Sequence, residues 1–305
     1  MTHYRALLCV VLLVGLPQAL GNEVPRPHIL GIDSVRIAVS DMDAARRFYS
    51  DATGFDLECH GCETSPPPGA VILPSGQIIW LVSEGPPPRS SLLTEVTFAV
   101  DNLEALKQVF DDNKFVSTEE LASKIVVSIG VQDPEGHAVR FTARRTQERL
   151  AKAMSSTENA LLSKRLIHAG WVVSDREAMD KFYRDVLGFR VYWHGGMKEG
   201  ETNWVDMQVP DGTDWIEYML NVPSNAGKRT LGVMNHIALG VPDVHATANQ
   251  LERSGVKLTE QPKIGRDGKW QLNLYHPDET RVELMEFTPV EKPCCAEYTG
   301  PHPKP

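Results

Sequence analysis

Ser34-Val-Arg-Ile-Ala-Val-Ser-Asp41 and His168-Ala-Gly-Trp-Val-Val-Ser-Asp175 are two versions of one phrase in a chain of 305 residues. Each reads as a strand that stops at an aspartate suited to cap a helix. Apolar residues then follow at helical spacing: Ala44 and Phe48 in the first copy, Met179, Phe182 and Val186 in the second. Both helices carry a Phe-Tyr pair (Phe48-Tyr49, Phe182-Tyr183). Both end at Gly-Phe (Gly54-Phe55, Gly188-Phe189), where glycine suits the left-handed residue that closes a helix.

Two shorter copies lie between and after these. Glu95-Val-Thr-Phe-Ala-Val-Asp101 precedes a helical pattern from Leu103 to Phe110, and His236-Ile-Ala-Leu-Gly-Val-Pro-Asp243 precedes one from Val244 to Ser254. Alternating strands follow each helix, punctuated by Pro74-Ser75-Gly76, Asp133-Pro134-Glu135-Gly136, Pro210-Asp211-Gly212 and His276-Pro277-Asp278. The repeated unit is therefore βαβββ, present four times. A single unit leaves one sheet face bare, so units must pair. The fold class expected is α+β, with two tandem domains at 28–145 and 164–290, a helical linker at 146–163 and an irregular tail at 291–305.

Composition bounds the function. Hydrophobic residues make up 42% and charged residues 23%, an ordinary balance for a globular chain, and the net charge of -9 comes without a basic run. Nucleic acid is accordingly excluded as a partner, for want of phosphate-neutralising charge. Arg5, the apolar run Ala6 to Leu16, and Ala19-Leu20-Gly21 read as a signal peptide (residues 1–21) cut near Gly21/Asn22. The run is shorter than the roughly 20 residues that span a bilayer. A secreted or periplasmic protein with no membrane attachment after cleavage is expected. Cys59, Cys62, Cys294 and Cys295 remain, an even number that suggests disulfides. Their connectivity stays open; one arrangement would tie the tail to the first domain, and Cys59-His60-Gly61-Cys62 also suits a redox or metal pair.

With these units in place, the chain resembles the vicinal-oxygen-chelate superfamily of glyoxalases, bleomycin-resistance proteins and extradiol dioxygenases, over about residues 30 to 290. Phe182-Tyr183 through Leu187-Gly188-Phe189 and Pro277 through Arg281-Val282-Glu283-Leu284 carry the likeness. The resemblance implies that each unit pair forms an open barrel around one metal. Each unit contributes one ligand from the start of its first strand and one from its last strand. In the C-terminal pair these are His168, Glu217, His236 and Glu283, with gaps of 49, 19 and 47 residues. Imidazoles and carboxylates suit Ni, Zn, Co, Mn or Fe. Alone, each is as well explained as an edge or surface residue; equivalent positions in a repeat join them. The matching N-terminal positions read as Ser34, Leu81, Glu95 and Arg140, a set that cannot bind a metal.

The expected function is a metal-dependent isomerase or lyase similar to glyoxalase I, acting on a small molecule chelated through two oxygens. Glu283 is the expected catalytic base, with Glu217 second. Asn221, Trp215 and Asn273 are weaker substrate-binding candidates. Asn221 matches an asparagine that contacts glutathione in such enzymes, but Val172 stands where they carry an arginine. The alternatives are an extradiol dioxygenase using Fe(II) and a binding protein without catalysis. Ring cleavage needs two histidines and one carboxylate, so Glu217 is surplus there. Trp270 and Asn273 also stand near the places of that family's histidine and tyrosine. Resistance-type binders generally lack the full ligand set. Trp204, His194, His245 and Tyr275 are further candidates for the groove wall, and a homodimer is compatible with the sequence.

Overall fold

The computed structural model describes residues 26–54, 68–83, 92–122, 125–143 and 162–305. The expected signal segment, Cys59, Cys62 and nearly all of the expected linker helix lie outside the described residues. The first unit contains β1 (Ile29–Val39), α1 (Met42–Thr53), β2 (Ala70–Ile72) and β3 (Ile78–Ser83). The second contains β4 (Leu93–Val100), α2 (Leu103–Asp112), β5 (Ser117–Ala122), β6 (Ile125–Gln132) and β7 (Ala138–Ala143). The third runs from β8 (Arg165–Val172) through α3 (Arg176–Asp180, continued by a wider turn over Lys181–Val186) to β9 (Arg190–Gly195), β10 (Trp204–Gln208) and β11 (Trp215–Met219). After a short α4 (Lys228–Met234), the fourth holds β12 (His236–Val241), α5 (Val244–Arg253), β13 (Lys263–Ile264), β14 (Trp270–Tyr275) and β15 (Arg281–Glu286).

The aspartates and asparagine that end the first strands do cap the helices. Asp41, Asn102, Asp175 and Asp243 each accept a hydrogen bond from the backbone N–H three residues on. Gly54 closes α1 at φ 71°, a conformation open to glycine without steric cost.

In the C-terminal half the order is β13-β14-β15-β12-β8-β11-β10-β9. First strands β8 and β12 pair antiparallel at the centre, and each is flanked in parallel by the last strand of its own unit. The N-terminal sheet, β2-β3-β1-β4-β7-β6-β5, repeats the plan. Two tandem domains of paired units are thus present. One apolar core spans both, and Phe110 of α2 stacks on Phe182 of α3 with centroids 6.4 Å apart. The Gln77 side chain stitches β1 to β8: its amide nitrogen donates to the Ile32 and Leu166 carbonyls at 2.9 and 3.0 Å, and its oxygen accepts from Leu166 N at 2.8 Å.

Three expectations need correction. On α1 the buried stripe is Ala45, Tyr49 and Ala52, one residue beyond Ala44 and Phe48; Phe48 instead packs edge-on against His276 of the other domain, 5.3 Å away. In the third unit the helix widens, with Leu187 N donating to Phe182 O five residues back. That extra residue lets the neighbours Phe182 and Tyr183 both face the core, which a regular 3.6-residue turn does not favour. Finally, register shows that Trp80, not Leu81, matches Glu217. Ser34 faces Ile78 as His168 faces Trp215, so the residue two further on is the equivalent. Leu81 belongs to the opposite, apolar face and is buried in the core.

The tail is irregular, as expected, but it is seated. Trp193 Nε1 donates to Cys294 O at 3.2 Å, Gln208 Nε2 to Pro301 O at 2.9 Å, and Thr299 N to Tyr192 O at 3.0 Å. Cys294 and Cys295 are bonded to each other, so neither ties the tail to the first domain.

Candidate metal centre

The centre follows from strand pairing. His168 and Ala238 are cross-strand partners on β8 and β12, and Glu283 is the parallel partner of Ala238 on β15. Glu217 on β11 and His236 on β12 are both registered with Gly170. The period of two sends all four side chains to the concave face of the sheet. Gly170 has no side chain for a reason: a Cβ there would lie 2.2 Å from His236 Cε1.

The four groups converge. His168 Nε2 and His236 Nε2 are 3.0 Å apart. Glu217 Oε2 lies 3.7 and 3.2 Å from those two nitrogens, and Glu283 Oε2 lies 3.6 and 3.5 Å from them. Such spacings between donor atoms are those expected around a shared ion at about 2.0–2.2 Å from each ligand. His168, Glu217 and His236 form the one metal-capable group of histidine, cysteine and acidic side chains among the described residues, and the distances from Glu283 add it as a fourth. His236 Nδ1 lies 3.0 Å from the Met234 carbonyl, an orientation that aims Nε2 inward.

Charge is balanced for a cation. Burial lowers the His168 pKa to about 3, which keeps its lone pair free. Burial alone would raise Glu283; Arg281 and the two histidines overcome it and hold the carboxyl down at about 2. Glu217 is likewise lowered, burial being outweighed by the His236 hydrogen bond and the charge of both rings. At His236, burial and Arg281 oppose a proton, but Glu217 and Glu283 outweigh them and raise the ring's pKa. Two carboxylates therefore attract positive charge to Nε2, which a divalent ion satisfies as well as a proton. The residues present fit a divalent metal.

A cavity of about 300 Å³ opens over His168, Glu217 and Glu283. Trp193, Trp204, Trp215 and Met285 are among its apolar lining residues, and Asn273 and Arg281 stand among the polar ones with Asp206, Arg266, Asp267 and Gln271. Trp215 and Asn273, two of the candidates for contact with a substrate, both line this cavity. Asn273 Nδ2 donates to Glu260 at 3.0 Å. Asn221 sits exposed in a turn at φ 62° with its amide donating to Thr202 O at 2.9 Å, outside the cavity lining. Val172, His194, His245, Trp270 and Tyr275 are also outside that lining. Tyr275 hydroxyl is turned to Glu260, and His245 packs on Trp270.

Three neighbours went unread in the sequence. Arg281 reaches the centre, with Nη2 2.7 Å from His236 Nε2; its signal was available, two residues before Glu283 on one strand face. Asp206, buried and cross-strand from Glu217, has its pKa pushed well above the usual carboxylate range by burial and by Glu217. Lys269 is fully buried, its Nζ 4.6 Å from the Trp215 ring centroid, 5.1 Å from Tyr298 and 5.3 Å from Tyr192. Burial pushes Lys269 below the usual lysine value, and Asp267 and Asp206 resist that shift. A lysine in a Gly-Lys-Trp turn gives no hint of such a position.

The N-terminal sheet has the same architecture with other chemistry. Ser34, Trp80, Glu95 and Arg140 take the four places, and Arg140 Nε donates to Glu95 at 3.0 Å. A guanidinium stands where a cation would be held.

A tandem pair of open β-cups, one of them lined by two histidines and two glutamates, defines a class of small-molecule metalloproteins. The chain belongs to the Glyoxalase/Bleomycin resistance protein/Dioxygenase superfamily, which matches residues 31–141 and 165–289. It is 28% identical over 123 residues to a lactoylglutathione lyase of Haemophilus influenzae, covering 40% of this chain and 91% of that one. It is 24% identical over 153 residues to a probable chloroplastic lactoylglutathione lyase of Arabidopsis thaliana, covering 47% of this chain but only 43% of the plant protein. Among solved structures, a catechol 2,3-dioxygenase superposes with a TM-score of 0.61 at 14% identity, covering 91% of this chain and 96% of that one. Homoprotocatechuate 2,3-dioxygenase of Arthrobacter globiformis gives 0.60 at 17% identity, covering 86% and 81%. These structural likenesses concern the fold.

Proposed function

We propose that the chain is a divalent-metal-dependent isomerase or lyase of the glyoxalase I type, acting on a small substrate that chelates through two oxygens. The observation that carries the reading is Glu217 Oε2 at 3.2 Å from His236 Nε2, a fourth protein ligand. Four ligands on a six-coordinate ion leave two adjacent sites, enough for a chelating substrate. Ring cleavage needs room for a catecholate and dioxygen, which three protein ligands allow and four do not.

The bound metal would polarise a substrate carbonyl and make the adjacent C–H more acidic. His168 and His236 orient the site. Glu283, buried and facing the cavity, is the proposed base that moves the proton between neighbouring carbons, with Glu217 the second candidate. Trp193, Trp204 and Trp215 give the cavity an apolar surface for the substrate's carbon skeleton.

Metal analysis of purified, reconstituted protein is expected to give one ion per chain; a value well below one defeats the proposal. Glu283→Gln should lower turnover at least ~100-fold, and an unchanged rate removes its role as base. The second reading, an Fe(II) extradiol dioxygenase, is favoured by His168, His236 and Glu283 as a two-histidine, one-carboxylate set. Catechol-dependent oxygen uptake by the iron-loaded protein decides for it.

A further inference from the structure

Arg281 is the cation of the cavity whose partner is itself a metal-facing atom. Lys263 is paired with Glu260 at 2.9 Å, and Arg266 is spent on the Gly196 carbonyl at 3.1 Å and on Cys294 Sγ at 2.8 Å. Among the described residues Arg281 makes one hydrogen bond, from Nη2 to His236 Nε2, and no carboxylate of theirs stands within ion-pair distance of it. Its Nε is buried and without an acceptor among those residues. A metal on His236 takes the lone pair that Nη2 now uses. Nε–H and Nη2–H point from the same edge of the guanidinium, so that edge is then left with two parallel donors and a positive charge beside a second positive charge. Glu217 and Glu283 offset the charge of the ion itself, but that guanidinium edge keeps no acceptor, and two parallel N–H groups match the two oxygens of a carboxylate.

We propose that the substrate of this site is a carboxylate, with its anionic group bound between the metal and the Nε/Nη2 edge of Arg281 and an adjacent oxygen completing the chelate. The inference rests on the metalloenzyme reading above and narrows its substrate to small 2-oxo or 2-hydroxy acids or their esters with a free carboxylate. Arg281 is a specificity residue in this scheme: it selects charge and takes no proton.

The test measures binding in two stages by titration calorimetry: first Co(II) to the purified protein, then oxalate to the Co(II)-loaded protein, with hydroxyacetone as the neutral chelator. Wild type should bind oxalate at least tenfold more tightly than hydroxyacetone. Arg281→Met should bind Co(II) as tightly as wild type or more so, and oxalate at least tenfold more weakly. Arg281→Lys, which keeps the charge without the fork, should fall between. Thermal melts matched to wild type exclude a folding defect, and the oxalate-to-hydroxyacetone ratio is read within each variant. A Co(II)-loaded Arg281→Met protein that keeps the wild-type ratio overturns the inference alone. A wild-type chain that takes up no Co(II) overturns the metal reading and the inference with it.

Discussion

Gly170 shows how much one hydrogen atom decides. Its backbone sits under the His236 imidazole, and a methyl group there would lie 2.4 Å from Nδ1. Gly170→Ala must rotate the ring away, breaking the bond to the Met234 carbonyl that aims Nε2. We expect metal affinity to fall at least ~tenfold, in the range seen when the groups that orient ligands are lost, as read by competition with a chelator. Wild-type affinity in that variant would show that the ring can be aimed otherwise. Asp33 is a second residue whose behaviour can be worked out. Burial raises its pKa from 3.8 to about 7, offset slightly by a hydrogen bond from Ser34. Its folded-state pKa lies above the unfolded one, so the folded state holds the proton more tightly. That contribution is complete below pH 3.8 and is lost as pH rises towards 7. Asp33→Asn, which cannot ionise, should match wild type near pH 4 and exceed it by a few kcal/mol, as an order of magnitude, near pH 8. Parallel denaturation curves for the two proteins across that range would refute the buried-carboxyl account.

At the scale of elements, the readable features were those with a period. Strand starts and helix caps follow from alternation and from Asp41, Asn102, Asp175 and Asp243, whose side chains act on the nearest backbone, and the candidates His168, Glu217, His236 and Glu283 follow from equivalent places in the repeat. The features that escaped are decided by what lies across the sheet. Ala45 and Tyr49 are fully buried while Phe48 packs half-buried at the edge of the core, and both Phe48 and Tyr49 meet His276 of the second domain. Trp80 replaces Leu81 as the N-terminal counterpart of Glu217 because register, set by the pairing of β1 with β3, cannot be counted from loop lengths that differ. Lys269 and Asp206 are invisible for the same reason: burial of a charge is tolerated only through neighbours that the sequence does not place side by side. Arg281 could have been found, since it shares a strand face with Glu283. The tail, too, reads as irregular and is so, yet Tyr298 reaches the Tyr192 ring at 4.7 Å and helps enclose Lys269. Its hydrogen bonds to β9 and β10 make it part of the C-terminal domain.

The whole molecule has a common core across its two domains. Phe110 and Phe182 stack across the seam, Phe98 meets Phe189 edge-on at 5.4 Å, and the Gln77 side chain holds β1 and β8 together. The halves should therefore unfold together. Phe110→Ala should cost about 3–5 kcal/mol, the range for removing a large buried aromatic side chain. It should lower the midpoint of a single denaturation transition followed by tryptophan fluorescence. All six tryptophans are distributed over both halves, Trp80 in the first and Trp171, Trp193, Trp204, Trp215 and Trp270 in the second. Two resolved transitions in the wild-type protein would contradict a shared core.

The Arg140–Glu95 bond has a consequence for how such a chain meets its surroundings. A side chain is tethered for life, so its supply cannot run short, whereas an ion must be found, can be stolen by a chelator and can be exchanged for a competitor. The N-terminal cup is closed by the chain itself, whatever the cup of His168, Glu217, His236 and Glu283 holds.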